Sequence, residues 1–571
     1  MRQWMVAAKK ADFYAIAEKF HVDPVVARII RNREVIGEKN IRIYLGGNLS
    51  DLSDPHQMKD MDRLVEILAQ KIRKQVRIRI IGDYDVDGVT SSHLFLTALR
   101  RVGAKVDVVI PHRIQDGYGL SLHLLQQAKE DGVDTILTCD NGIAAIDEIA
   151  WAKAQKMTVL VTDHHAVPFE EHEGRRTEKK SLADAVVNPH QQDCGYPYKE
   201  LCGAGVAWNV IRVLYENYDM DKREAEDLLD FVAMATVCDV MSLTGENRIL
   251  VKEGLKRIRH TKNIGLQALM QACNVQPENI SAYHFGYVLG PCVNATGRLD
   301  TARHALRLFE TGQETEAEEI ARDLVDLNQE RKELTLQGVE MAKKLCEEGG
   351  YENDPVLVLF LPDVHESIAG LIAGRIREMY NRPVFVLTRG EEGVKGSGRS
   401  TENYSMYENM CGCAELFTKF GGHPMAAGLS LPTENIDLFR AKLNRQQTLT
   451  EKELTPVTWI DVPMPVSYAS KKLVEQLRVL EPFGKGNEKP VFADRKLTVR
   501  SANMIGKNKN VLKMQLEDTQ GHVVDAIQFK VEEEDMPLRG KEISIVYYPD
   551  INEFRGNQTL QFIVQEWCYT T

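Results

Sequence analysis

The stretch Arg77-Ile-Arg-Ile-Ile-Gly-Asp83-Tyr84-Asp85-Val86-Asp87-Gly88-Val89-Thr90 decides how this chain is read. Val76, Ile78, Ile80 and Ile81 are β-branched residues of the kind a central strand uses. Asp83, Asp85 and Asp87 follow, alternating with Tyr84 and Val86. In an extended backbone alternate side chains share a face, so this reading aims three carboxylates into one small volume. Gly88 is expected to turn the chain, and Thr90-Ser91-Ser92 to open the next helix. Close carboxylates repel unless a cation sits among them, and oxygen-seeking divalent metals are the usual remedy. A capped loop of solvated acids is the plain alternative, and the triplet alone does not separate the two.

The flanking sequence repeats the pattern. Apolar runs at 106–110, 135–139, 158–162 and 186–187 read as strands, with helices expected at 94–101, 121–130 and 144–155 between them. Such β-α-β-α alternation predicts a parallel sheet with helices on both faces. Asp140 and Asp163-His164-His165 then stand at strand C-terminal ends, as the acidic triplet does. Open α/β sheets bind ligands in the crevice outside those ends. Position therefore favours the metal reading more than composition does. Asp239 follows the apolar run 231–238, where an acid is costly to bury unless it is paired or ligates a metal. It is a helix-end carboxylate or a fifth corner of the site, and the cluster already assembled favours the second.

Further along, 111–119 is a glycine-bearing loop with Arg113, 170–180 a charged surface spacer, and 201–208 a small-residue turn into a helix. Residues 290–299 combine glycines with Arg298, whose plain reading is a loop arginine in a surface ion pair. Apolar residues from Ile320 to Leu345 advance by threes, fours and sevens, the seam of one long helix. A second α/β lobe follows. In it Ser397 and Arg399 alternate with glycines, which would let backbone amides approach an anion while both side chains face it. From 456 short strands recur at regular spacing, suggesting a small OB-fold barrel. Its lysines, with Phe483, Phe492, Tyr547 and Tyr548 as stacking surfaces, suit single-stranded nucleic acid. A solvated lysine face over core aromatics is the alternative. The expected divisions are an N-terminal helical segment (1–70), a catalytic lobe (71–312), a connecting helix (313–350), the second lobe (351–447) and the barrel (455–571).

A chain of 571 residues is too long for one core. At 43% hydrophobic and 27% charged it has an ordinary globular composition, and no apolar run is long enough to span a bilayer. No export signal is visible, and the ten cysteines are scattered without a zinc framework, so a cytoplasmic protein with reduced thiols is expected. The net charge of −12 argues mildly against coating nucleic acid by charge alone. It leaves open an enzyme whose acids bind metals and whose bases line one groove.

Together these residues resemble the DHH-superfamily phosphoesterases, and within them the RecJ family of single-strand-specific exonucleases, over nearly the whole chain. Asp83-Tyr84-Asp85-Val86-Asp87-Gly88 resembles the first family motif, Asp140-Asn141-Gly142 the second and Asp163-His164-His165 the third. Asp239 fits the fourth, and Gly421-Gly422-His423 resembles the signature of the associated DHHA1 lobe. Asp-His-His alone is a weak signal, whereas the ordered set with that lobe and a terminal barrel is specific. Asn294-Ala295-Thr296-Gly297-Arg298 departs from the family pattern, in which a small residue more often precedes the glycine.

The resemblance implies an α/β DHH lobe and an α/β DHHA1 lobe joined by the long helix, with an OB-fold barrel. It implies two divalent cations, manganese before magnesium because the donors mix imidazole with carboxylate. Asp85, Asp87, Asp140, His164 and Asp239 would be ligands, Asp140 the bridge, and Asp83 a ligand or base orienter. His165 and Arg298 would contact the scissile phosphate, with Asp163 counted in the catalytic group. Arg113, Ser397 and Arg399 would surround a 5′-phosphate, with Gly422 and His423 on the backbone nearby. Lys485, Lys489, Lys507 and Lys509 would touch nucleic acid. The implied activity is processive 5′-to-3′ release of mononucleotides from single-stranded DNA in recombination and repair. The enzyme would act as a monomer, with a helicase and a single-stranded-DNA-binding protein as partners. A dinucleotide-degrading or cyclic-dinucleotide phosphodiesterase of the same superfamily is the nearest rival. A non-catalytic replication scaffold is a more distant one.

Overall fold

The β-branched runs form five parallel strands in the computed structural model, which describes residues 2–113, 116–117, 119–172, 175–390, 393–507, 509–554 and 556–570. Across the sheet they run Lys105–Val109, Arg77–Ile81, Thr135–Cys139, Thr158–Thr162 and Ala185–Val187. The chain leaves the second of these toward one edge and then returns to build the other side. Strand order therefore reverses between Arg77–Ile81 and Thr135–Cys139, and a crevice opens beyond their C-terminal ends. The period of two sorts the side chains. Ile78 and Ile80 join the core beneath helices Met61–Arg73, Val86–Arg101 and Gly203–Asn217. Ile81 joins the opposite core with Leu125 and Ile149, from helices Leu122–Glu130 and Ile146–Ala154.

The acidic triplet departs from the extended reading. Helix Val86–Arg101 begins inside it, with Asp85 as its N-cap accepting from Gly88 N at 3.0 Å. Asp85 is thus half out of the helix and Asp87 in its first turn, so the three carboxylates do not alternate along a strand. An N-cap acid satisfies a free amide that an extended chain would leave to water, and the helix forms one turn earlier. Thr90 and Ser92 lie within the helix, bonding back to Val86 O at 2.6 Å and Gly88 O at 2.7 Å. Gly88 does not turn the chain. A Cβ there would stand 2.4 Å from Asp83 O, so glycine is needed because helix and strand end almost touch. The expected spacer is a hairpin, Phe169–His172 with Arg175–Glu178, and residues 173 and 174 lie outside the described residues. In the loop 111–119, residues 114, 115 and 118 do too.

Helix Glu314–Gly349 runs 36 residues, about 54 Å at the usual rise. Its first half packs Ala317, Ile320 and Leu324 into the first lobe, and its second half packs Val339, Ala342 and Cys346 into the next. That second lobe has a mixed five-stranded sheet in the order Lys419–His423, Ala426–Leu431, Val394–Arg399, Val384–Arg389 and Leu357–Phe360. Helix Glu366–Tyr380 covers one face. The C-terminal strands Phe492–Ile505, Val511–Glu517, Val523–Phe529, Asn557–Tyr569 and Glu542–Phe554 pair in that order, and the last pairs with the first to close a barrel. Phe492, Tyr547 and Tyr548 are buried in its core and Phe483 is partly buried against it, so the first three are not stacking surfaces for bases.

Two long-range associations lie beyond local periodicity. Strand Gln3–Val6 pairs in parallel with Val457–Ile460, and Val26, Ile29, Ile30 and Ile41 complete the barrel's core. The first seventy residues are therefore divided: 3–46 belong with the barrel, while helix Met61–Arg73 belongs to the first lobe. Arg33 holds Asp461 across this seam at 2.9 and 3.2 Å. Arg248, on helix Gly245–Ile258 of the first lobe, is 2% exposed and donates to Tyr44 O at 2.8 Å and to Leu480 O and Val479 O at 2.9 Å. Its guanidinium lies 4.1 Å from the Tyr44 ring centroid. One side chain thus ties the catalytic lobe to both parts of the barrel unit. Arg248→Met would leave three carbonyls without their donor and cost about 3 kcal/mol. Calorimetry should then show a separate, earlier barrel transition; a thermogram like that of the unaltered chain would contradict the clamp.

Candidate metal centre and anion pocket

At the strand-order reversal the acids converge. Donor atoms of Asp83, Asp85 and Asp140 lie within 4.8 Å of one another, as do those of Asp87, His164 and Asp239, and those of Asp140, His164 and His165. His164 Nε2 faces Asp140 Oδ1 at 3.1 Å and Asp87 Oδ2 and Asp239 Oδ2 at 3.6 Å.

Each side chain is held by a local device. Asp140 leaves its strand with φ 62°, a left-handed conformation that aspartate tolerates better than most residues. Asp87 accepts Gly203 N on Oδ2 at 2.6 Å and Ala204 N on Oδ1 at 2.7 Å, so the N-terminus of helix Gly203–Asn217 fixes it from below. Asp239 caps the C-terminal end of helix Leu229–Cys238, so it is both a helix-end carboxylate and a corner of the cluster. Val240 behind it is forced to φ 55°, a strained position for a β-branched residue.

Burial first, and then the charges of the neighbouring aspartates, hold Asp83, Asp140 and Asp239 well above the ordinary carboxylate range. His164 is pushed the other way, toward the neutral imidazole that metals bind, chiefly by burial. Among the described residues, the buried Asp83 Oδ1 and His164 Nε2 of this cluster have no hydrogen-bond partner. Buried, mutually repelling oxygen donors with one neutral imidazole nitrogen fit divalent cations.

Asp163 is different. Its Oδ1 accepts His164 N at 2.7 Å, His165 N at 3.0 Å and His165 Nδ1 at 2.8 Å, and its Oδ2 accepts Ile143 N at 2.9 Å. It faces the protein and positions His165. Burial opposes charge on His165, but the Asp163 bond and charge, then Asp239 and Asp87, more than offset it and lift the imidazole to about 9.

Beside the acids lies a cationic pocket of about 490 Å³ between the two lobes, lined by Arg113, Arg298, Ser397 and Arg399. Arg298 stands on helix Gly290–Leu299, not on a loop, and donates to Ser367 O across the lobes at 2.6 Å. Burial and the neighbouring Arg113, Arg331 and Arg399 charges lower its guanidinium to about 10, so the pocket is electrostatically primed for an anion. Ser397 and Arg399 are on strand Val394–Arg399, not in a turn. Their glycine neighbours serve packing: a Cβ on Gly396 would meet Leu387 Cδ2 at 2.5 Å, and one on Gly398 would meet the Phe385 ring at 2.8 Å. Gly421 lines the pocket, whereas Gly422 and His423 are exposed farther along the same strand, off its lining.

A larger cavity of about 1070 Å³ lies between the first lobe and the barrel, with Lys252, Arg259, Lys485 and Lys489 on its walls. Tyr283 and Tyr287, both exposed, stack there with centroids 5.1 Å apart. Lys489 Nζ sits 3.7 Å from the Tyr548 ring centroid. Lys507 and Lys509 are exposed in the turn before Val511 and do not line this cavity. Sequence reading missed the tyrosine pair, which carries no spacing signal. It also missed the Gly203–Ala204 amides, which the small-residue helix start could have suggested.

In the metal-free chain, the His165 imidazole should titrate near 9 by NMR. Its charged form is favoured by folding, so this contribution to stability is present below the ordinary histidine range and disappears as pH rises through about 9. Asp163→Asn should bring the midpoint down by at least about one unit; an unmoved midpoint would show that Asp163 does not hold the proton.

Three family models match the chain: the DHH family, N-terminal domain over residues 77–236, the DHHA1 domain over 353–448, and the RecJ OB domain over 460–566. The single-stranded-DNA-specific exonuclease RecJ of Haemophilus influenzae is 35% identical, covering 95% of each chain. The Bacillus subtilis protein of the same name is 32% identical over 97% of this chain and 69% of its own. The crystal structure of RecJ in complex with Mn2+ from Thermus thermophilus superposes with a TM-score of 0.83 at 26% identity, covering all of this chain and 79% of that one. From its acidic crevice to its terminal barrel, the chain belongs to the RecJ family.

Proposed function

We propose that the chain is a divalent-cation-dependent exonuclease that shortens single-stranded DNA from its 5′ end and releases 5′-mononucleotides in recombination and repair. The observation that carries this reading is adjacency. The arginine pocket abuts the carboxylate cluster, with the Arg113 guanidinium stacked 4.0 Å from the ring centroid of Tyr84, between Asp83 and Asp85. An anion-binding end-stop beside a metal centre suits an enzyme that measures from a terminal phosphate. The names and the manganese and magnesium complexes of its relatives support the same substrate and cofactor.

In this reading Asp83, Asp85 and Asp140 would hold one cation, and Asp87, His164 and Asp239 the other, with Asp140, which also faces His164, contributing to both sets of donors and manganese preferred to magnesium. Bound there, divalent cations would polarise the phosphodiester, acidify the attacking water and neutralise the leaving oxygen. The chain's own groups do the rest. Asp163 holds Nδ1 of His165 and so orients the charged imidazole, which would donate from Nε2 to a non-bridging phosphate oxygen. Arg298 adds a cation from the groove wall. Arg113, Ser397 and Arg399 take the 5′-phosphate, and Gly422 and His423 lie farther along the backbone track. The catalytic work falls to residues 71–312 and 351–447 and strand binding to 455–571, with Lys485 and Lys489 facing the strand and Lys507 and Lys509 as outlying contacts. The enzyme works as a cytoplasmic monomer on strands opened by a helicase and covered by a single-stranded-DNA-binding protein. Among the described residues no helix is long and apolar enough to cross a membrane.

End-labelled oligonucleotides test this directly. With manganese, a long 5′-phosphorylated single strand should lose mononucleotides from its 5′ end while duplex persists, and Asp140→Asn should slow this at least about a hundredfold. Faster hydrolysis of a dinucleotide than of the long strand would replace the proposal with its phosphodiesterase rival. Arg399→Ala should weaken use of 5′-phosphorylated ends selectively. Equal slowing on every substrate would mean that the pocket does not hold the end.

A further inference from the structure

Tyr84 sits between two carboxylates of the cluster, and its ring contacts Arg113, a residue that lines the anion pocket. The Arg113 guanidinium lies over that ring, 4.0 Å from its centroid, and Arg113 Nε donates to Gly297 O at 3.0 Å. The ring and the carbonyl together fix the arginine from two directions. The far side of this arrangement is equally tight. A Cβ on Gly297 would stand 2.3 Å from Tyr84 O, so the Tyr84 backbone is seated directly on the helix that carries Arg298. Val86 N donates to Asn294 Oδ1 on the same helix at 3.2 Å, pinning the loop one residue beyond Asp85.

Arg113 comes from the loop 111–119, and among the described residues the contacts that orient its guanidinium are the Tyr84 face and the Gly297 carbonyl. A guanidinium over an aromatic face keeps its edge N–H groups free to bind a phosphate. Because Tyr84 is covalently between Asp83 and Asp85, any shift of its ring moves the arginine relative to the carboxylates.

We propose that Tyr84 is a positioning residue that holds Arg113 in the terminal-phosphate pocket and thereby fixes that pocket's distance from the carboxylate cluster. The inference rests on the 5′-phosphate reading of the pocket and assigns to Tyr84 the selectivity for phosphorylated over hydroxyl ends. Phenylalanine preserves the aromatic face, leucine fills similar volume without one, and alanine removes both.

Binding measured without catalysis separates this role from the chemistry. Fluorescence anisotropy in EDTA would compare a 5′-phosphorylated oligothymidylate with its 5′-hydroxyl twin. The unaltered chain and Tyr84→Phe should prefer the phosphorylated end to a similar degree. Tyr84→Leu and Tyr84→Ala should lose about tenfold of that preference while binding the hydroxyl strand as before. With manganese present, the leucine variant should show a raised KM for phosphorylated strand and little change in kcat. Thermal unfolding shows whether each variant folds, and the leucine variant keeps the test open if alanine collapses the loop. A leucine variant that retains the full preference overturns the proposal, as does a phenylalanine variant that loses it. Arg399→Ala distinguishes the two levels. If it also leaves the preference intact, the 5′-phosphate reading of the pocket has failed; if it abolishes the preference while Tyr84→Leu does not, only the role of Tyr84 has.

Discussion

Five aspartates crowd one end of a parallel sheet, and their mutual repulsion is the constraint that the surrounding structure answers. Asp83 and Asp87 are almost fully buried, Asp140 is 2% exposed, and Asp85 and Asp239 close the ring. Such a set is unfavourable in a dry interior unless charge is neutralised or met by oriented donors. Only part of the answer comes from the protein. The helix beginning at Gly203 gives Asp87 two amides, and Gly88 supplies an N–H to Asp85. Among the described residues, Asp83 Oδ1 and His164 Nε2 are left without hydrogen bonds. In the proposed reading divalent cations would complete the set.

The neighbouring pocket presents the opposite problem. Burial, and then the neighbouring charges of Arg113, Arg331 and Arg399, depress the guanidinium of Arg298. Among the described residues, the carboxylates of the cluster and these guanidiniums form no ion pairs with each other. Arg298 donates to Ser367 O, and Arg399 donates to Gly398 O. Backbone carbonyls orient these cations without quenching them, which in the proposed reading leaves one cluster for metal and the other for phosphate. Because Ser397 and Arg399 come from the second lobe and Arg298 reaches across to it, this division exists only while the connecting helix Glu314–Gly349 holds the lobes together.

Much of the fold was legible because strand composition and helix spacing are local properties. The runs at Arg77–Ile81, Thr135–Cys139 and Thr158–Thr162 are β-branched and bounded by polar turns, and the seam of the long helix is continuous. That the acids stand at strand ends was legible for the same reason. How the backbone presents them was not. Asp85 serves as an N-cap and brings the helix forward by several residues, a competition between capping and extension that alternation does not reveal. Gly396 and Gly398 looked like anion-binding glycines, but the packing of Leu387 and Phe385 requires them. Phe492 and Tyr547 looked available to bases and are barrel core. The docking of 3–46 on the barrel depends on contacts hundreds of residues apart, such as Arg33 with Asp461, which no window of sequence contains.

The central claim is that the crowded carboxylates form a centre for two cations, and calorimetric titration of the metal-free chain with manganese at neutral pH tests it most directly. Asp83, Asp140 and Asp239 are held above the ordinary carboxylate range without metal, so binding should release protons as well as heat. The account predicts saturation at two ions per chain, with an apparent enthalpy that varies with the ionisation enthalpy of the buffer. Saturation at one ion or none, or heat independent of the buffer, would contradict it.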